Sequence, residues 1–148
     1  MDPVVDLSPG TEGNALARRL ADVVRSNLTR DWQRREFQRL RGSVAIVADD
    51  AASAVTLRFD FGRLTFHEGV VGVPDITISG TSADIESLTH MRFQGPFRLP
   101  LPRLSDGEGT SAVLGVLRAL RRRDLKIYGL AFHGRFIVRV LRVLSSSG

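Results

Sequence analysis

The sequence predicts an α+β fold in which helices cover one face of a short, mostly antiparallel sheet. Two observations carry this. Apolar residues recur at helical spacing before Gly42 and again after Gly80, whereas the stretch between them switches to period two. Within that stretch, short turns separate the apolar runs, which places successive strands side by side as a meander with one dry face. A chain of 148 residues with 43% hydrophobic and 25% charged residues supports one domain with its own core.

Residues 1–13 are acidic and contain Pro3, Pro9 and Gly10, and are expected to form a flexible arm ahead of a single domain at 14–148. From Asn14, the residues Leu16, Leu20, Val23, Val24 and Leu28 fall on one helical face, with Arg18, Arg19, Asp22 and Arg25 off it. Asp31 is placed to cap a continuation to Arg41 that buries Trp32, Phe37 and Leu40, and Gly42 ends it. Residues 43–48 form a short apolar run, closed by a turn at Asp49-Asp50. Val55, Leu57, Phe59 and Phe61 then alternate with Thr56, Arg58 and Asp60, the signature of a half-buried strand. Gly62-Arg63 links to a third run at 64–67, Glu68-Gly69 turns again, and residues 73–79 supply a fourth, ended by Gly80. Ser82 is a good N-cap for a helix through Ile85, Leu88 and Met91. A further helix is expected from Thr110 or Ser111 to Arg122, burying Val113, Leu114, Leu117 and Leu120. Residues 125–128 read as a strand and 132–144 as the last helix.

Composition excludes several kinds of chemistry. There is no cysteine, which removes disulfides, thiol nucleophiles and thiolate metal sites. His67, His90 and His133 are dispersed without ligand spacing, so no metal is expected. Gly80-Thr81-Ser82-Ala83-Asp84 fails the nucleophile-elbow pattern at its last position. Gly107-Glu108-Gly109-Thr110-Ser111-Ala112 matches a dinucleotide fingerprint, but a Pro-rich stretch precedes it instead of a strand. The acidic residues show no paired general acid and base. The chain therefore reads as a non-enzyme with no cofactor.

The formal net charge is +5, and it is unevenly distributed. Residues 46–90 hold two basic side chains against seven acidic, whereas 91–148 hold eleven basic against three acidic. Arg118, Arg121, Arg122, Arg123 and Lys126 have the charge to meet phosphates, but no nucleic-acid motif accompanies them. Arg121–Arg123 also sit where cations favour a helix C-terminus, so no nucleic-acid partner is expected. The longest apolar runs are far short of the roughly 20 residues of a membrane span, and the start lacks a targeting pattern. The expected location is the cytoplasm.

Two segments carry a family likeness. Pro74-Asp75-Ile76-Thr77-Ile78-Ser79-Gly80-Thr81, followed by Asp84-Ile85-Glu86-Ser87-Leu88, resembles the strand–turn–helix of the sterol carrier protein type 2 (SCP-2) family. Leu125-Lys126-Ile127-Tyr128-Gly129 and the apolar helix after it resemble that family's closing strand and helix. The resemblance covers most of 14–144 and implies a five-stranded sheet with helices around an apolar tunnel. It further implies binding of sterols, acyl chains, acyl-CoA or isoprenoid lipids without catalytic residues. Between Met91 and Asp124 the chain departs from the pattern, with a longer Pro-rich loop and a helix.

The apolar residues of that loop and of the last helix are the candidate ligand contacts: Phe93, Phe97, Leu99, Leu101, Leu114, Leu117, Phe132, Phe136 and Val140. The 93–104 loop is a lid or portal for an apolar ligand, a lip that dips into a membrane, or an irregular cover on the core. Arg135, Arg139 and Arg142 form a narrow ridge on an otherwise apolar helix, placed to meet water or anionic headgroups. Such a helix is packed into its own core, closes a cavity, or meets a second chain or membrane. The leading expectation is lipid binding or transfer with peripheral contact to anionic membrane. The alternative is an accessory protein whose helix and loop form an interface with a second copy or a partner enzyme of lipid metabolism.

Overall fold

The computed structural model describes residues 3–89 and 125–144. Its elements run β1 (Val4–Leu7), α1 (Ala15–Asn27), α2 (Asp31–Gln38), β2 (Arg41–Ala48), a 3-10 turn at Asp49–Ala51, β3 (Ser53–Asp60), β4 (Arg63–Glu68), β5 (Ile76–Gly80), α3 (Ser82–Thr89), β6 (Lys126–Tyr128) and α4 (Leu130–Leu144). The expected helix at 110–122 and the 93–104 loop lie outside the described residues.

Strand order in the sheet is β1-β4-β3-β2-β5-β6. The central strands β2, β3 and β4 form the expected antiparallel meander. The Phe61-Gly62 link between β3 and β4 has positive φ at both residues, the geometry that matches strand twist in a tight hairpin. Two strands depart from expectation, and among the described residues the sheet is six-stranded and mixed instead of five-stranded and mostly antiparallel. First, Val4–Leu7, in the stretch read as a loose arm, pairs parallel with β4. Second, β5 does not extend the meander but crosses back to pair parallel with β2. The crossing spans three strand spacings, about 14 Å, which residues 69–75 cover easily at up to about 3.3 Å per residue. Thr56 pins this loop on the outer sheet face: its hydroxyl donates to the Gly69 carbonyl at 2.7 Å and accepts from Val71 N–H at 3.0 Å.

Alternation along the strands sends one set of side chains inward. Leu57 aligns with Val44 and Phe66, and Ile78 with Ile46 and Ile127, so the apolar residues form continuous rows across the sheet. Over this face lie α1, buried through Ala17, Leu20, Ala21 and Val24, then α2 through Phe37, and α4. Asn14 fixes the start of α1: its Oδ1 accepts from Ala17 N–H at 3.1 Å, and its Nδ2 donates to the Ala54 carbonyl at 3.1 Å. Asp31, expected to cap α2, is instead its first residue, where a carboxylate favours the helix dipole. At α3 the capping falls to Thr81, one residue earlier than expected. Asp84 N–H donates to Thr81 Oγ1 at 3.1 Å, and the Thr81 hydroxyl donates to Asp84 Oδ2 at 2.7 Å. Ser82 gives its N–H and hydroxyl to Asp50 at 2.8 and 2.9 Å, and these bonds, the backbone one foremost, hold the Asp50 carboxyl below its ordinary range.

Gly129 joins β6 to α4 at φ +90°, and a Cβ there would run into the Asp75 carbonyl. Gly72 also has positive φ, yet a Cβ there would meet open space. Gly129→Ala is expected to cost about 3 kcal/mol or more, and Gly72→Ala about 1 kcal/mol. Urea denaturation of both variants checks this, and equal costs would contradict the close approach.

Candidate functional site

The site follows from the fate of α4. Ile137, Val140, Leu141, Val143 and Leu144 are fully buried, and the helix packs against α1, α2, α3 and β5. At about 2 kcal/mol per buried aliphatic side chain, this seat is worth on the order of 10 kcal/mol gross. Among the described side chains of α4, the large apolar ones are thus covered by the chain's own core, Phe136 being half-buried.

Burial of the α4 C-terminal end creates a polar requirement, because the last carbonyls of a helix have no partner within it. Two buried amides meet it. Gln33 Nε2 donates to the Arg142 carbonyl at 2.8 Å, and Asn27 Nδ2 to the Val143 carbonyl at 2.7 Å. One arginine of the ridge is likewise turned inward. Arg142 is only 5% exposed and lies 3.7 Å from Glu36 Oε1, while Arg139 Nε lies 3.7 Å from Glu36 Oε2. Burial pushes the Arg142 guanidinium below its ordinary value and Arg139 adds to this, while the Glu36 carboxylate opposes both. Arg142 is thus a buried ion-pair partner within the chain. Arg139 is one-third exposed and Arg135 more so, and these two keep a solvent-facing position.

At the other end α4 is broken. His133 leaves helical geometry with φ −130° and ψ 30°, which separates a first turn from the main helix. Just after the break, Phe136 is half-buried, and its ring meets Phe59 edge-on at 6.1 Å and 85°. Phe59 in turn meets Phe37 at 6.2 Å and 73°, so an aromatic chain runs from α2 through the sheet to α4. Gly42 makes room for this: a Cβ there would lie 3.0 Å from the Phe136 ring and 2.8 Å from Asp75 Oδ2. The Gly42 that was expected to stop a helix in fact lies within β2 and admits a ring. Beside it, Asp75 Oδ2 accepts from Ser43 N–H at 2.9 Å, and His133 Nε2 stands 4.0 Å from Asp75 Oδ1. A polar rim therefore borders the apolar end where Phe136 emerges.

Of the expected ligand contacts, the structure brings Phe136 and Val140 together on α4 against the sheet. Phe132 falls in the first turn of α4, and its side chain is outside the described ones. Phe93, Phe97, Leu99, Leu101, Leu114 and Leu117 also lie outside the described residues. Sequence reasoning missed Asn27, Gln33 and Glu36. The signal for Gln33 was present, since it stands one helical turn from Phe37 on the face that buries that ring. A cavity of about 430 Å³ opens toward the outer face of the sheet beside the Phe136 end; Arg41, Arg58, His67 and Asp75 line it together with Phe59, Val71 and Val73, so its lining is mixed. Among the described residues, no three His, Asp or Glu side chains converge as a metal site, and no helix is long and apolar enough to cross a membrane.

No protein-family model and no curated protein matches the chain. Solved structures do. The chain is similar to a ubiquinone synthesis protein, UbiJ-SCP2, at 11% identity over 86% of this chain and 90% of that one, with a TM-score of 0.55. It is also similar to a conserved hypothetical protein of Thermus thermophilus suggested to be a sterol carrier protein, at 19% identity over 85% of each chain and a TM-score of 0.37. The first likeness establishes the architecture: the chain folds as an SCP2-like domain.

The Glu36–Arg142 pair predicts a non-additive response. Glu36→Gln leaves the Arg142 charge buried without its carboxylate and is expected to cost about 3 kcal/mol. Adding Arg142→Met in that background should recover most of the loss. Urea denaturation of the single and double variants checks this, and additive losses would contradict the pairing.

Proposed function

We propose that this protein is a non-enzymatic lipid carrier that binds an acyl chain, a sterol-like molecule or a polyprenyl or quinone chain between α4 and the inner face of the sheet. The observation that supports this most directly is the apolar layer in an SCP2-like fold: Val44, Leu57, Ile76 and Ile78 of the sheet and Ile137, Val140 and Leu141 of α4 belong to one buried apolar cluster. A chain of about 15 methylenes gains on the order of 12 kcal/mol gross on burial. That sum covers association costs of several kcal/mol and leaves micromolar or better affinity. It does not also cover ejecting α4, whose seat has a similar gross worth. The ligand therefore enters at the Phe136 end, where the helix is broken and the ring half-buried.

In this reading Phe136 and Val140 form the wall, and Phe132, Leu114 and Leu117 complete it. The 93–104 loop, with Phe93, Phe97, Leu99 and Leu101, acts as its gate. Arg135 and Arg139 take an anionic headgroup or the surface of an anionic membrane, which the protein visits from the cytoplasm. Arg142 has no part in this contact.

Delipidated protein titrated with a fluorescent fatty acid and with a long-chain quinone tests the reading. Saturable micromolar binding is expected, weakened about tenfold or more by Val140→Phe, which fills the wall with bulk. Arg135→Gln should reduce transfer from anionic vesicles and leave transfer from neutral vesicles unchanged. No saturable binding, together with no apolar mass on native extraction, would contradict a lipid carrier.

A further inference from the structure

One edge of the sheet has a feature that lipid binding does not use. Among the described residues, β1 is the terminal strand and pairs only with β4. Val4 N–H donates to the Gly62 carbonyl and Ser8 N–H to the Phe66 carbonyl, both at 2.9 Å. In this parallel register the backbone groups of Val4, Asp6 and Ser8 face β4, and those of Val5 and Leu7 face outward. The outward Val5 carbonyl accepts from Arg25 Nη2 at 3.0 Å, so a side chain stands where a neighbouring strand would donate. Beside this edge lies a groove of about 450 Å³ between β1 and the corner joining α1 to α2. Its floor includes the buried Leu28 and the core-facing Val5, and Arg25 and Arg34 stand at its rim. Two guanidiniums thus border the groove against one carboxylate, Asp6. Their nearby acids, Asp22 at 3.5 Å from Arg25 and Asp31 at 4.0 Å from Arg34, are exposed and hold them weakly.

We propose that this edge is a docking site for an extended segment of a partner polypeptide, with an apolar residue flanked by acidic ones. The segment pairs with the outward backbone groups of Val5 and Leu7 as a seventh strand. Side chains of a strand alternate, so every second one enters the groove over Leu28 while the next faces solvent. Arg25 leaves the Val5 carbonyl when a backbone N–H replaces it, and then stands with Arg34 to bind the acidic flank by charge-assisted hydrogen bonds. The groove roofs the added strand on the helix side, so its apolar residue becomes an extension of the existing core. This surface is separate from the Phe136 end of α4, and the proposal stands independently of lipid binding.

The test uses the full chain and a short synthetic peptide of alternating valine and threonine with acidic ends, followed by fluorescence anisotropy. Saturable binding is expected, weaker by about tenfold or more with the double variant Arg25→Glu, Arg34→Glu, and weaker for a basic-ended peptide. Val5→Pro removes one outward N–H and leaves the Val4 and Asp6 bonds to β4, so it should abolish pairing while retaining the fold. Amide exchange on the unaltered protein supplies a readout that needs no variant: the peptide should protect Val5 and Leu7. Equal binding of acidic and basic peptides, or protection that avoids Val5 and Leu7, would overturn the proposal. A concentration-dependent dimer that protects the same two amides without peptide would overturn it as well, by giving the edge to a second copy.

Discussion

The buried C-terminal end of α4 is the constraint on which the rest of this structure depends. A helix whose last two turns are apolar apart from Arg139 and Arg142 is driven into the core, and it takes two carbonyls with it that its own turns cannot satisfy. Gln33 and Asn27 supply the missing donors from α2 and from the last residue of α1. Each bond is worth only about 1 kcal/mol net, but leaving either carbonyl buried and unmet would cost about 1–3 kcal/mol. These bonds therefore set where the corner between α1 and α2 must sit. Arg142 adds a charge to the same place, and Glu36 answers it from the next turn of α2. The position of that corner then shapes the groove beside β1.

With its C-terminal end fixed, α4 differs in character along its length. The last turns are packed and hydrogen-bonded from neighbouring elements. The first turn is cut off at His133, and Phe136 reaches a glycine that leaves its ring unobstructed. Opening the far end would expose a charge and two carbonyls, so access in such a helix belongs to the broken end. This asymmetry is why the proposed ligand is placed at the Phe136 end. It also explains the narrow scope of the arginine ridge, in which one member belongs to the core and two remain at the surface.

Local pattern in the sequence was a good guide wherever the determinant was local. The apolar face of α1, the alternation of β3 and the hairpin after it are legible from neighbouring residues, although the link falls at Phe61-Gly62, one residue before the expected Gly62-Arg63, and leaves Phe61 exposed. What the sequence hid is non-local. Val4–Leu7 is too short to read as a strand, and only the distant β4 edge makes it one. Nothing in the spacing of β5 says that its partner is β2, since a parallel pairing leaves no turn to mark it. The burial of Arg142 is non-local in the same way: spacing places the three arginines on one stripe, but Glu36, far earlier in the chain, is the partner that Arg142 meets. The family likeness read from Pro74–Thr81 and Leu125–Gly129 held at the level of fold, even though it foresaw neither the sixth strand nor the mixed pairing.

The central claim is that an apolar chain is accommodated between α4 and the sheet at the end that Phe136 opens. Intermolecular NOEs between a bound long-chain fatty acid and assigned side chains measure this directly. Contacts are expected from acyl protons to the Phe136 ring and the Val140 methyls, with the amides of Val143 and Leu144 unperturbed. Contacts confined to the outer-face cavity beside Arg58 and His67, with none to Phe136 or Val140, would contradict it.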